Sequence, residues 1–140
     1  MIVDTTVLVY AFGDEHPLQE PCFRLLDRVR ARVVEATTTV QVMQEFAHVR
    51  ARRRPRTDAA SLARDIAGLL APLLSPTLPE LLAGLGLFES YAGLGSFDSV
   101  LAATCISRSG QLVSADKAFS LVPGLAYVAP GTPQFEELLA

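Results

Sequence analysis

Apolar positions recur along the chain in short blocks, and the spacing inside each block predicts its element. Ile2 and Val3 read as the tail of a short buried strand, and the apolar stretch from Thr5 to Phe12 continues it, best read as a helix after the strand. Phe23, Leu25, Leu26 and Val29 follow at helical spacing with Arg24, Asp27 and Arg28 between them. This predicts an amphipathic helix with Pro17 in its first turn and its end near Arg32. Val33, Val34 and Ala36 read as a strand running into Thr37, Thr38 and Thr39, any of which can cap the helix that carries Val42, Glu45, Phe46 and Val49.

A further helix is expected from about Thr57 through Leu62, Ile66, Leu69 and Leu70, stopping at Pro72, with Leu73 and Leu74 as a short strand. Pro79 opens another through Leu81, Leu82, Leu85 and Phe88, although Gly84 and Gly86 weaken its interior. Ser96 to Arg108 is a strong helical segment that Gly110 is placed to end. Gln111 to Ser114 reads as a strand, Asp116 to Ser120 as a short helix or turn, and Ala126 to Val128 as a last strand. Strands thus alternate with helices, the order of an α/β fold whose mainly parallel central sheet is covered by helices and gathers ligands beyond the carboxyl ends of its strands. At 140 residues the chain is expected to form a single domain over 1–140.

Composition narrows the function classes. Half the residues are hydrophobic and 19% are charged, a balance that supports a folded globule. No apolar run approaches the roughly 18 residues that span a bilayer. Asp4 arrives too early for a signal peptide, so a cytoplasmic protein without a membrane span is expected. Cys22 and Cys105 sit among apolar neighbours and read as core thiols, and neither they nor His16 and His48 have zinc-ligand spacing. The net charge of -3 does not itself announce a nucleic-acid binder, but Arg50, Arg52, Arg53, Arg54 and Arg56 make one strongly positive spot.

The remaining chemistry lies in carboxylates. Asp4 and Asp116 each follow a short apolar strand, so a parallel sheet would deliver both to the same edge; taken singly, each also reads as the cap of the helix after it. Asp98 sits in the first turn of its helix, at the head of the face bearing Leu101, Ala102 and Cys105, which points its carboxylate inward. Glu45 cannot be a cap. It lies inside a helix on the apolar stripe between Val42 and Val49, where the alternative to a functional role is an ion pair with an arginine such as Arg50 or Arg52, or a carboxylate reaching the edge of the core. Four crowded carboxylates repel one another unless positive charge is supplied, and an all-oxygen set suits magnesium or manganese, ions that activate water and stabilise charge in phosphodiester hydrolysis.

In order and spacing these segments resemble the PIN-domain ribonucleases, in particular the VapC toxins of bacterial toxin–antitoxin systems. The resemblance runs from Ile2-Val3-Asp4-Thr5-Thr6 through Gln44-Glu45-Phe46 and Phe97-Asp98, with Leu101-Ala102-Ala103-Thr104 behind it, to Leu112-Val113-Ser114-Ala115-Asp116-Lys117-Ala118-Phe119. It implies a PIN-like three-layer α/β/α fold and metal-dependent endoribonuclease activity leaving a 3′-hydroxyl and a 5′-phosphate. By this similarity Asp4, Glu45, Asp98 and Asp116 are the metal-binding and catalytic carboxylates, with Mg2+ or Mn2+ as cofactor, while Thr5 or Thr6 and Ser114 steady them. It also implies an RNA substrate, a VapB-like antitoxin and a homodimer, with apolar helix surface around Phe23, Phe46 or Phe88 available to interfaces. Ser114 stands where the family commonly has threonine, and Ser99 where alanine is common; neither removes a carboxylate.

Arg50, Arg52 and Arg53 fit two readings, contacts to RNA phosphates and a solvated helix end whose charge suits the carboxyl terminus. Two other function classes compete with the nuclease. A receiver-like phosphoacceptor domain also keeps an acidic pocket at parallel-strand ends, but it needs adjacent acids after the first strand, where this chain has Asp4 and Thr5. A non-catalytic RNA-binding module would keep the fold and use the arginines alone.

Overall fold

In the computed structural model, which describes residues 1–140, Ile2–Val3 forms β1 and leads at once into α1 (Thr5–Ala11). There follow α2 (Gln19–Arg30), α3 (Val40–Arg50), α4 (Arg56–Leu70), α5 (Leu78–Ser90), α6 (Ser96–Ser107), β2 (Gln111–Val113), a 3-10 turn (Lys117–Leu121), β3 (Ala126–Val128) and α7 (Pro133–Leu139). The sheet order is β1-β2-β3, all parallel, with Val3 opposite Val113 and Val113 opposite Val128. Single parallel bridges, Ile2 to Thr37 and Thr39 to Leu74, continue the sheet beyond β1. The expected α/β class with a parallel sheet is what forms.

Backbone amides explain where the expected elements shift. Val33 and Val34 both donate to the carbonyl of Arg28, at 3.0 and 3.4 Å, so they wrap the end of α2 instead of forming a strand. Arg32 turns the chain there in the left-handed region, at φ 59. Pairing starts later: the Val3 amide donates to Thr37 at 2.9 Å and the Thr37 amide to Met1 at 3.0 Å. The strand expected over Val33, Val34 and Ala36 is therefore displaced to Thr37–Thr39, and the one expected at Leu73 and Leu74 shrinks to a bridge at Leu74. Pro17 lies in the turn ahead of α2, whose helix begins at Gln19.

Helix starts follow their capping residues. Thr39 accepts from the Val42 amide at 3.1 Å to open α3, and Thr77 accepts from Glu80 to open α5 one residue before Pro79. Helix α7 lies beyond the last element expected from the pattern, although Thr132 caps it and Pro133 occupies its first turn. Phe135 and Leu139 on that helix are buried, Arg24 reaches Glu136 at 2.6 Å, and Arg28 donates to the Leu139 carbonyl at 2.9 Å, docking α7 onto α2.

The core joins Ile2, Val3, Leu8, Leu26, Phe46 and Val113 into one continuous cluster with the inner faces of the helices. Cys22 and Cys105 are wholly buried, as expected, and burial pushes their thiols up to about 12 and about 11. No helix is long and apolar enough to cross a membrane.

Gly84 lets α5 approach α6 closely: a Cβ there would stand 2.7 Å from the Cα of Val100. Gly86, one position beyond the next residue, faces open space. Arg108 adds an ion pair to buried Glu80 at 3.2 Å across the same helix pair. Gly84→Ala is expected to lower stability by about 1–3 kcal/mol because the packed neighbour is backbone. Gly86→Ala should raise it by up to about 1 kcal/mol through helix propensity. Denaturant midpoints of the two variants, opposite in sign, check both statements.

Candidate carboxylate site

Parallel pairing of β1 with β2 brings the residues after each strand to one edge. The Asp4 amide donates to the Val113 carbonyl at 3.0 Å, which sets Asp4 beside Ser114. Asp4 is buried, and its Oδ2 accepts from Ser114 Oγ at 2.6 Å, Thr6 Oγ1 at 2.8 Å and the Thr6 amide at 3.4 Å. Thr6 and Ser114 are themselves linked, hydroxyl to hydroxyl, at 3.2 Å. The amides of Ala115 and Asp116 donate to these two hydroxyls at 2.9 and 3.0 Å. Asp4 does cap α1, as the simpler account expects, but the cap uses only one of its oxygens.

The other acids follow the same rule. Thr5 Oγ1 donates to Glu45 Oε2 at 2.7 Å, tying α1 to α3, and Asp116 Oδ1 accepts from the Ala118 amide at 2.9 Å. The two candidate threonines thus divide the work: Thr5 serves Glu45, and Thr6 serves Asp4 with Ser114. On Asp4, Glu45 and Asp116 one oxygen is anchored by the protein while the second takes no hydrogen bond from it. Asp98 is half-buried at the start of α6.

Glu45 departs from its expected setting. It is exposed, whereas Val42, Met43 and Phe46 of α3 are buried. At 100° per residue, position 45 falls on the margin of the stripe centred on those three, so its carboxylate reaches out over the rim.

All four carboxylates line one cavity of about 510 Å³. No three of these side chains close into a ready-made ligand cage. They are near enough to interact, however: burial first, then the charges of Asp4, Glu45 and Asp116, push the Asp98 carboxyl up to about 7. Like-charge repulsion accounts for the neighbours' share of that shift, and the free oxygens form an all-oxygen donor set that fits a hard divalent cation.

Pattern reading missed the rest of the wall. Tyr10 and His16 stack with centroids 4.4 Å apart at the rim of the same cavity, beside Asp14 and Glu15. Tyr127 of β3 lies behind the acids; its hydroxyl is buried without a partner, and burial, then Asp116 and Asp4, raise its pKa. Tyr10, His16 and Tyr127 come from α1, the α1–α2 loop and β3, so no local spacing announces them. A second, largely apolar cavity of about 600 Å³ adjoins Asp4, Glu45 and Asp98 and is walled by Leu78, Leu81, Leu85 and Phe97.

Among the arginines, Arg50 is engaged within the fold, donating to Asp58 at 3.1 Å and to the Phe12 carbonyl at 2.6 Å. Arg52 contacts the His48 ring at 3.3 Å, and Arg53 lines the carboxylate cavity, paired with Asp14 at 3.1 Å.

A parallel sheet that delivers two strand-end aspartates to a cavity completed by acids from two helices defines a class, and the chain belongs to the PIN-domain family, whose model matches residues 1–125. It is 45% identical over 141 aligned positions to ribonuclease VapC7 of Mycobacterium tuberculosis, covering 99% of this chain and 97% of that one. Its fold is also that of a chain in the crystal structure of VapBC2 from Rickettsia felis bound to a promoter DNA fragment, with a TM-score of 0.69 at 17% identity over 91% of this chain and 96% of that one. A toxin–antitoxin complex from Klebsiella pneumoniae superposes similarly, with a TM-score of 0.68 at 17% identity over 91% and 94% of the two chains. A receiver-like domain belongs to a different family and is set aside.

The Asp98 shift has a consequence for stability. Its folded pKa of about 7 lies above the ordinary 3.8, so between those values the folded chain holds a proton that the unfolded chain has released. Stability therefore falls as pH rises through that window, and the deficit is complete above it. In chelator, Asp98→Asn should melt higher than the parent protein at pH values above the window, with the difference vanishing below it. A melting series for both proteins across pH measures this; a parallel pair of curves would contradict the assignment.

Proposed function

We propose that this chain is the toxin of a toxin–antitoxin pair and acts as a divalent-metal-dependent endoribonuclease. The observation that carries the reading is the arrangement of Asp4, Glu45, Asp98 and Asp116 on one cavity wall, three of them with one oxygen anchored and one left over. The near-half identity to a protein named a ribonuclease, over almost the whole chain, supports the same activity here. The same reading places its action in the cytoplasm, with cellular RNA as substrate.

Magnesium or manganese held by these acids would supply Lewis acidity to the phosphate and lower the pKa of a bound water. The chain's own residues do the positioning. Thr6 and Ser114 hold Asp4 against rotation, Thr5 holds Glu45 at the rim, and the turn at Ala118 holds Asp116. Asp98 has no such tie, and its carboxylate, once ionised beside bound positive charge, would be free to orient the attacking water. Attack by water on the phosphorus with release of the 3′ oxygen would leave a 3′-hydroxyl and a 5′-phosphate.

A VapB-like antitoxin is the partner suggested by the toxin–antitoxin complexes that share the fold. The apolar cavity beside the carboxylates and the outward face of α5, where Leu78, Leu82 and Phe88 are exposed, offer surface for an antitoxin or for the second copy of a homodimer. Phe23 is exposed as well, but Phe46 is buried in the core and is removed from the expected interface set.

Purified protein incubated with labelled RNA is expected to cut it with magnesium or manganese and to stop in chelator. Asp98→Asn should lower the rate by a factor on the order of a hundred or more, the scale of losing a positioned acid–base group. Thr5→Val, which frees Glu45, should lower it less. Cleavage that persists in chelator would sink the metal reading, and RNA binding without any cleavage would favour a non-catalytic module.

A further inference from the structure

The carboxylate cavity does not end at the acids. It shares Val9, Gly13, Asp14, Val49 and Arg53 with a second cavity of about 280 Å³. This second hollow is walled by Arg50, Arg52, Arg53 and Arg54 and floored by Phe12 and Phe46. Four guanidinium charges there face two carboxylates, Asp14 and Asp58, on a chain whose total charge is -3.

The arginines are not equivalent. Arg50 is held by Asp58 and by the Phe12 carbonyl, a structural tie between α1, α3 and α4. Arg53 and Asp14 pair at 3.1 Å with their side chains 80% and 75% exposed. A pair so open to water contributes little and exchanges partners readily. Arg54 is exposed on the same wall. The carboxyl-terminal dipole of α3 accounts for positive charge in its last turn, but not for arginines beyond that turn lining a hollow that opens onto the carboxylates.

A strand of nucleic acid held at its scissile phosphate must place its neighbouring phosphates somewhere, and guanidinium groups match phosphate geometry. Half-buried Phe12 adds an apolar surface against which a sugar or base can pack. Resting on the ribonuclease reading above, we propose that the arginine cavity is a subsite for a flanking phosphate of the RNA strand, with Arg53 exchanging Asp14 for that phosphate and Arg54 adding a second guanidinium to it.

The test measures binding, so that it stands apart from cleavage. In an Asp98→Asn background with magnesium, a fluorescent single-stranded RNA dodecamer is titrated and its dissociation constant followed against salt. Arg53→Gln with Arg54→Gln should weaken binding by about tenfold at low salt and flatten the logarithmic salt dependence by about 0.7 for each phosphate that the arginines neutralise. Asp14→Asn, which frees Arg53, should tighten binding by about twofold to threefold, an effect a merely structural residue would not give. A dinucleotide with a single phosphate should bind all variants alike.

Dodecamer affinity indifferent to the arginines, equal losses on dinucleotide and dodecamer, or weaker binding by Asp14→Asn would each overturn the subsite. So would an acidic peptide that binds through Arg53 and Arg54 while RNA binding ignores them. Metal-dependent cleavage by the parent protein together with arginine-independent binding would leave the nuclease standing and remove the subsite. Arginine-dependent binding with no cleavage would do the reverse.

Discussion

Pairing of Val3 with Val113 in parallel register governs the carboxylate site, because it alone sets Asp4 beside Ser114 and close to Asp116. The strands involved are only two and three residues long. So short a ladder cannot hold its register by backbone bonds alone; it is held by burial of Ile2, Val3, Leu112 and Val113 on both faces of the sheet, where a slip of one residue would draw a polar residue from the strand end into the core. The hydroxyls of Thr6 and Ser114 then lock the two strand ends together beyond the last backbone bond.

Electrostatics divides the molecule's active edge in two. On one side four acids share a wall, and the charges of the other three add to the cost of ionising Asp98. On the other, arginines collect where α3 ends. Arg53 and Asp14 stand on the boundary and belong to both cavities. The fold tolerates this because each acid other than Asp98 has a local hydrogen-bond donor from its own segment or from α1, which offsets part of the cost of crowding.

Much of this was legible in the sequence, and the failures have physical causes. Strand-end aspartates could be placed because a parallel sheet aligns its carboxyl ends, and Asp98 because its helix face was strongly apolar. Glu45 lies mid-helix, where no cap explains it, but it is exposed at the margin of the apolar stripe and not within it. Val33 and Val34 looked like a strand because their side chains are β-branched, whereas their amides were already committed to the end of α2. Helix α7 was overlooked even though Thr132-Pro133 announces it; its packing on Arg24 and Arg28 is long-range and leaves no local trace. Gly84 read as a weakness of α5 and is instead what allows α6 to lie against it.

Two wholly buried thiols have a practical meaning for anyone who handles the protein. Cys22 and Cys105 stay protonated and out of reach, so neither competes for an alkylating reagent nor pairs with another chain in air. A single cysteine introduced on the surface would therefore be the one reactive sulfur on the molecule, and a dye or spin label attached to it would report from a unique, known position without first stripping the native residues away.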